Sequence, residues 1–95
     1  MNFLELKGQF ENRLTDDFEL LELHYSPYSF GSGFAAYRVK GQIVKVIYDA
    51  KDDQVELQVS EKHAKYSDAS LTTVYTGLPA DFITNGLIKL NSFNG

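Results

Sequence analysis

Phe34-Ala-Ala-Tyr-Arg-Val-Lys-Gly41, then Ile43-Val-Lys-Val-Ile-Tyr48, then Val55-Glu-Leu-Gln-Val59, is the stretch that decides the fold. Each run alternates apolar and polar side chains with a period of two, as strands with one buried face do. Lys40-Gly41 suits a two-residue hairpin turn, which sets Val39 opposite Gln42, Tyr37 opposite Val44 and Ala35 opposite Val46. Pairing Asp49 with Gln54 across Ala50-Lys-Asp-Asp53 adds a third strand. One face then collects Ala35, Tyr37, Val39, Val44, Val46, Tyr48, Val55, Leu57 and Val59. The other collects Phe34, Arg38, Ile43, Lys45, Ile47, Glu56 and Gln58. The two hairpins agree on a single buried face, the consistency a real sheet shows. The second face is half apolar, so part of it is expected to be covered.

On the N-terminal side, Phe3, Leu6, Phe10 and Leu14 recur at helical spacing while Glu5, Gln9, Asn12 and Arg13 look outward. Asn2 reads as the N-cap with Glu5 three residues on, so a helix is expected over 3–14. Thr15-Asp16-Asp17 ends it. Phe18 to Tyr25 reads as a strand because Leu21, Leu23 and Tyr25 alternate with Glu22 and His24 and Pro27 follows. Even spacing puts His24 on a face with Phe18, Leu20 and Glu22. Ser26 to Gly33 is then an eight-residue loop.

On the C-terminal side, Ser60 to Tyr66 reads as a short helical turn capped by Ser60, and Leu71 to Thr76 as a further strand. Pro79 suits a first helical position and Asp81 the positive helix end. A helix over 79–91 follows, lined by Ile83, Leu87 and Leu90 and weakened by Gly86. The expected fold is a single α+β domain over 1–95. It has a four- to five-stranded, mainly antiparallel meander sheet with the N-terminal and C-terminal helices packed on one face.

Composition narrows the function classes. The 95 residues hold no cysteine, which removes disulfides, thiolate nucleophiles and Cys-ligated metals. A cytoplasmic setting is the simplest reading of that absence. Polar residues interrupt Met1-Asn-Phe-Leu-Glu-Leu-Lys7 where a signal peptide needs an apolar run, and no apolar run is long enough to span a membrane. A formal charge of −4 opposes nucleic-acid binding. The acidic residues group at Glu11 to Glu22 and Asp49 to Glu56, as solvated turns do or as a patch for a basic partner does.

The candidate chemistries are weak. Gly31-Ser-Gly33 leads into a strand rather than a helix N-terminus, so it reads as a turn and not as a phosphate cradle. His24 and His63 lack metal-ligand spacing, and no nucleophile elbow supports a triad. Asp16-Asp17 and Asp52-Asp53 sit in hydrated turns, unlike a general acid in an apolar wall. No catalytic residue, metal site or cofactor is expected.

The least ordinary feature is aromatic. Tyr25, Tyr28, Phe30 and Phe34 fall within ten residues around Pro27 and two glycines, and such rings either plug the end of a core or present a contact surface. Tyr28, Phe30, Phe34 and Arg38 are the candidate binding residues, with Tyr28 or Phe30 expected to be exposed and Arg38 to supply a planar polar contact.

In size, acidity and topology the chain resembles many small bacterial inhibitor, immunity and antitoxin proteins, a likeness that carries no motif and transfers no residue role. The favoured expectation is a non-enzymatic module that binds a protein and masks its surface. The alternatives are a small-ligand domain or small enzyme with the sheet as a pocket wall, and a homodimer paired through the second sheet face or an edge strand.

Overall fold

A computed structural model describes residues 2–92. The elements run α1 (Phe3–Arg13), β1 (Phe18–Ser26), β2 (Ser32–Val39), β3 (Gln42–Asp49), β4 (Gln54–Lys62), β5 (Thr72–Gly77), α2 (Pro79–Asp81) and α3 (Leu87–Ser92). A π-helical stretch, Phe82–Gly86, joins the last two helices into one C-terminal segment. The five strands form one antiparallel sheet in the order β1-β2-β3-β4-β5, with both helical segments on the same face. The α+β class and the meander are as the alternation implies.

The register of the central hairpin follows its turn. Lys40 and Gly41 take φ values of 52° and 80°, the doubly left-handed turn that matches strand twist, and Val39 pairs with Gln42. Tyr37 faces Val44, Ala35 faces Val46, and across the next turn Tyr48 faces Val55 and Val46 faces Leu57. These side chains are buried under Phe3, Leu6 and Phe10 of α1 and Phe82 and Leu90 of the C-terminal segment. Arg38, Lys45, Glu56 and Gln58 lie on the opposite face, each half-buried.

Asn2 caps α1 through its side chain, which accepts the Glu5 N–H at 3.0 Å. At its other end Tyr37 donates its hydroxyl to Glu11 Oε2 at 2.7 Å, and Lys7 pairs with the same oxygen at 2.6 Å. Phe10 links the two helical segments, with its ring 5.5 Å from Tyr37 and 5.6 Å from Phe82.

Four expectations need correction. The β1–β2 ladder shifts between Leu20 and Glu22, so Leu21 is an extra, bulged residue. Phe18, Leu20, Leu23 and Tyr25 therefore share one face, whereas Glu19, Glu22 and His24 share the other. His24 does not sit with Phe18 and Leu20. The loop expected over 26–33 is also shorter, because Ser26 pairs with Ser32 and Gly33 with Tyr25 in the ladder.

Ser60 caps no helix. β4 continues through it to Lys62, and its buried hydroxyl accepts the Ile43 N–H at 2.8 Å at a ladder irregularity. The short turn lies later, at Tyr66–Asp68. The C-terminal helix is interrupted by the π stretch and turns Phe82 into the core, a residue that the Ile83–Leu87–Leu90 spacing passes over. The side chain of Leu87 lies outside the described residues.

The second sheet face is covered in part, by the β4–β5 connection. Arg38 donates to the Ala64 carbonyl at 3.2 Å, and the Tyr66 hydroxyl donates to the Glu22 carboxylate on β1. Ala36 and Ile43 beneath it are fully buried.

Candidate protein-contact loop

The connection between β1 and β2 is built on the start of α1. Pro27 opens a single 3-10 turn, Pro27–Ser29, where its fixed φ and missing N–H suit the first position. Ser26 Oγ donates to Ser29 Oγ at 3.1 Å across that turn. Phe30 and Gly31 then take φ values of 60° and 86°. The Gly31 carbonyl accepts the Phe3 N–H at 2.8 Å, which gives one of the helix's otherwise unpaired donors an acceptor. A Cβ at Gly31 would lie 2.8 Å from that of Asn2, so glycine is needed for the approach as well as for its φ.

This scaffold leaves two rings outside the core. Tyr28 is 98% exposed and Phe30 76%. Phe30 holds a left-handed backbone conformation that costs a non-glycine residue about 1–2 kcal/mol. Tyr25, in contrast, packs against the core.

Phe34 and Arg38 are arranged differently. Phe34 is half-buried on the second sheet face, with the His24 ring stacked 5.7 Å away at 19° and Lys45 Nζ 4.3 Å from its centroid. Arg38 stands four residues along β2, about 13 Å at strand rise, and spends its guanidinium on Ala64. The structure thus brings Tyr28, Phe30 and Phe34 to one end of the sheet and leaves Arg38 under the β4–β5 connection. The His24–Phe34–Lys45 stack has no signature in the sequence, because the alternation does not reveal the bulge that aligns His24 with Phe34.

The remaining titratable groups describe a structural network. Burial first, then the Glu11 carboxylate, pushes the Tyr37 hydroxyl well above the ordinary phenol range. Tyr48 is pushed up to about 12 by burial and by its 2.8 Å hydrogen bond to Asp53. Tyr66 is pushed up to about 12, chiefly by its hydrogen bond to Glu22. His63 is exposed at φ 63°, its N–H donated to the Gly41 carbonyl at 2.6 Å. Among the described residues no group of three or more His, Asp or Glu is placed to hold a metal ion. A solvent-open hollow of about 260 Å³ lies within the β4–β5 connection, lined by Glu61, Ala64, Lys65, Asp68, Ala69 and Ser70. No described helix is long and apolar enough to cross a membrane.

Comparison of the chain with family models, curated proteins and solved structures finds no match.

Proposed function

We propose that this protein is a non-enzymatic binding module that uses the Pro27–Gly31 loop to engage a protein partner and mask part of its surface. One observation carries the reading: Tyr28 and Phe30 project from a loop fixed at both ends, and Phe30 does so at an unfavourable φ. Exposed rings cost solubility, and rigid aromatic side chains bury area at small entropic cost on binding. Strain stored at an exposed position points to a shape kept for a contact. Phe34 lies at the same end of the sheet, half-buried beneath His24 and Lys45, while Arg38 serves the fold. The charge of −4 favours a partner with a basic rim and disfavours nucleic acid, for which sub-micromolar affinity at physiological salt would count against the reading. A cytoplasmic setting accords with a chain that has no cysteine.

The test compares the wild-type chain with the Tyr28→Ala, Phe30→Ala double variant in capture from native lysate and in thermal unfolding. The expected result is a stoichiometric partner recovered by the wild type and lost by the variant, with affinity weakened by more than about 1 kcal/mol and melting temperature unchanged. A variant that chiefly melts earlier would show the rings to be core plugs, and the reading would fail.

A further inference from the structure

β1 forms one edge of the sheet, and its nine residues include no Lys, Pro or Gly. Edge strands are ordinarily blunted by shortness, charge (lysine above all), proline or bulges, and of these β1 carries the Leu21 bulge and two glutamates. The opposite edge, β5, has six residues and meets Pro79 just beyond its end. On β1, Phe18, Leu20 and Leu23 are 40%, 41% and 45% exposed on the helix-bearing side of the sheet. Leu4, 45% exposed on the flank of α1 that carries Lys7 and Glu11, adds to the same side.

The backbone shows what this edge can accept. Val39 and Gln42 flank a two-residue turn and so exchange both hydrogen bonds. By alternation, Arg38, Ala36, Phe34 and Ser32 direct their backbone groups toward β1, where their partners are Glu19, Glu22, His24 and Ser26. The N–H and C=O groups of Phe18, Leu20, Leu23 and Tyr25 therefore point outward, and among the described residues no strand receives them. An evenly alternating strand would pair with its own copy in many registers. The bulge at Leu21 leaves one antiparallel register in which all four outward residues meet outward residues: Phe18 against the partner's Tyr25, and Leu20 against the partner's Leu23. In that register Glu19 faces the partner's His24 on the other side of the sheet, a carboxylate against an imidazole. Glu22 falls opposite the partner's Leu21, and its own carboxylate is drawn back over the sheet by Tyr66.

We propose that two copies of this chain pair antiparallel through β1 in this register, joining their sheets into one and burying the exposed leucines between the two α1 helices. The surface is distinct from the Tyr28–Phe30 loop, so either proposal can fail alone.

Sedimentation of the purified chain at tens of micromolar should show a dimer, and Leu23→Lys should return a folded monomer by circular dichroism. The register is read by cysteine pairing, which the cysteine-free chain makes clean. Glu19→Cys and His24→Cys chains, mixed and oxidised, should cross-link to each other, because facing residues of this kind lie about 4.5 Å apart between Cα atoms. Neither variant alone should cross-link comparably. A wild-type monomer, or a dimer whose mixed cysteines stay unlinked, would overturn the proposal. Should Leu23→Lys fail to fold, the mixed-cysteine experiment decides by itself.

Discussion

Tyr37 and Glu11 tie the sheet to its first helix: the hydroxyl at the end of a buried strand residue donates to a carboxylate on the last turns of α1 at 2.7 Å. The ring is fully buried and the carboxylate is shared with Lys7. Tyr37→Phe keeps the ring and removes the hydrogen bond, and Glu11 keeps its lysine. The expected loss is about 0.5–1.5 kcal/mol in denaturant unfolding. Tyr37→Ala should lose about 3–5 kcal/mol through the cavity it leaves. Equal losses from the two variants would mean that the ring contributes little to the core.

The register of the central strands predicts opposite outcomes for neighbours. Val46→Ala and Leu57→Ala should each destabilise by about 1–4 kcal/mol, because both side chains lie in the core beneath the helices. Lys45→Ala, on the other face, loses a cation–π contact of about 0.5–1 kcal/mol with Phe34. Urea midpoints of the three variants check the ordering.

Gly86 is held small by Phe82. A Cβ there would run into the ring, with Cε1 only 2.8 Å away. Gly86→Ala should therefore destabilise by about 1–3 kcal/mol through overpacking, despite alanine's better helix propensity. In a Phe82→Ala background the same change should turn neutral or stabilising. A double-mutant cycle on thermal unfolding measures that change of sign.

Alkaline pH should weaken the fold. Tyr48 and Tyr66 are pushed up to about 12 in the folded chain, and Tyr37 and Tyr75 are also raised. In the unfolded chain a phenol titrates near 10. Because the folded values are the higher ones, the stabilisation is complete below about pH 10 and is lost as pH rises through the folded values. The phenolate absorbance of these four tyrosines should rise late and together with loss of structure. Tyr66→Phe should reduce the slope of stability between about pH 10 and 12. An unchanged slope would show that the Glu22 contact does not hold the proton.

The β2–β4 register was legible because turn chemistry and alternation at Lys40-Gly41 give the same answer twice. The β1 bulge was not, since Leu20-Leu21 breaks the alternation without showing which leucine is extra. Ser60 carries the polarity of a helix cap, but its hydroxyl serves a strand neighbour 17 residues away. Tyr66 meets Glu22 across 44 residues, a contact that no local pattern encodes. In the candidate loop the exposure of Tyr28 and Phe30 followed from their glycine- and proline-bound setting. The engagement of Arg38 depended on where the β4–β5 connection crosses the sheet.

The order β1-β2-β3-β4-β5, in which every strand lies beside its neighbour in the chain, also bears on how the protein comes to be folded. Each strand pairing closes a short segment, so little chain entropy is lost before contacts form to offset it. The sheet can grow outward from the Lys40-Gly41 turn one hairpin at a time. Phe10 and Phe82, 5.6 Å apart and drawn from opposite ends of the sequence, make a contact that spans most of the chain. Closing that pair joins the two terminal helical segments over a sheet already assembled, which places the aromatic clasp after the rate-limiting step of folding. Substitutions at Phe82 should then speed unfolding while leaving the folding rate nearly unchanged, and a slowed folding limb in stopped-flow would place the clasp early instead.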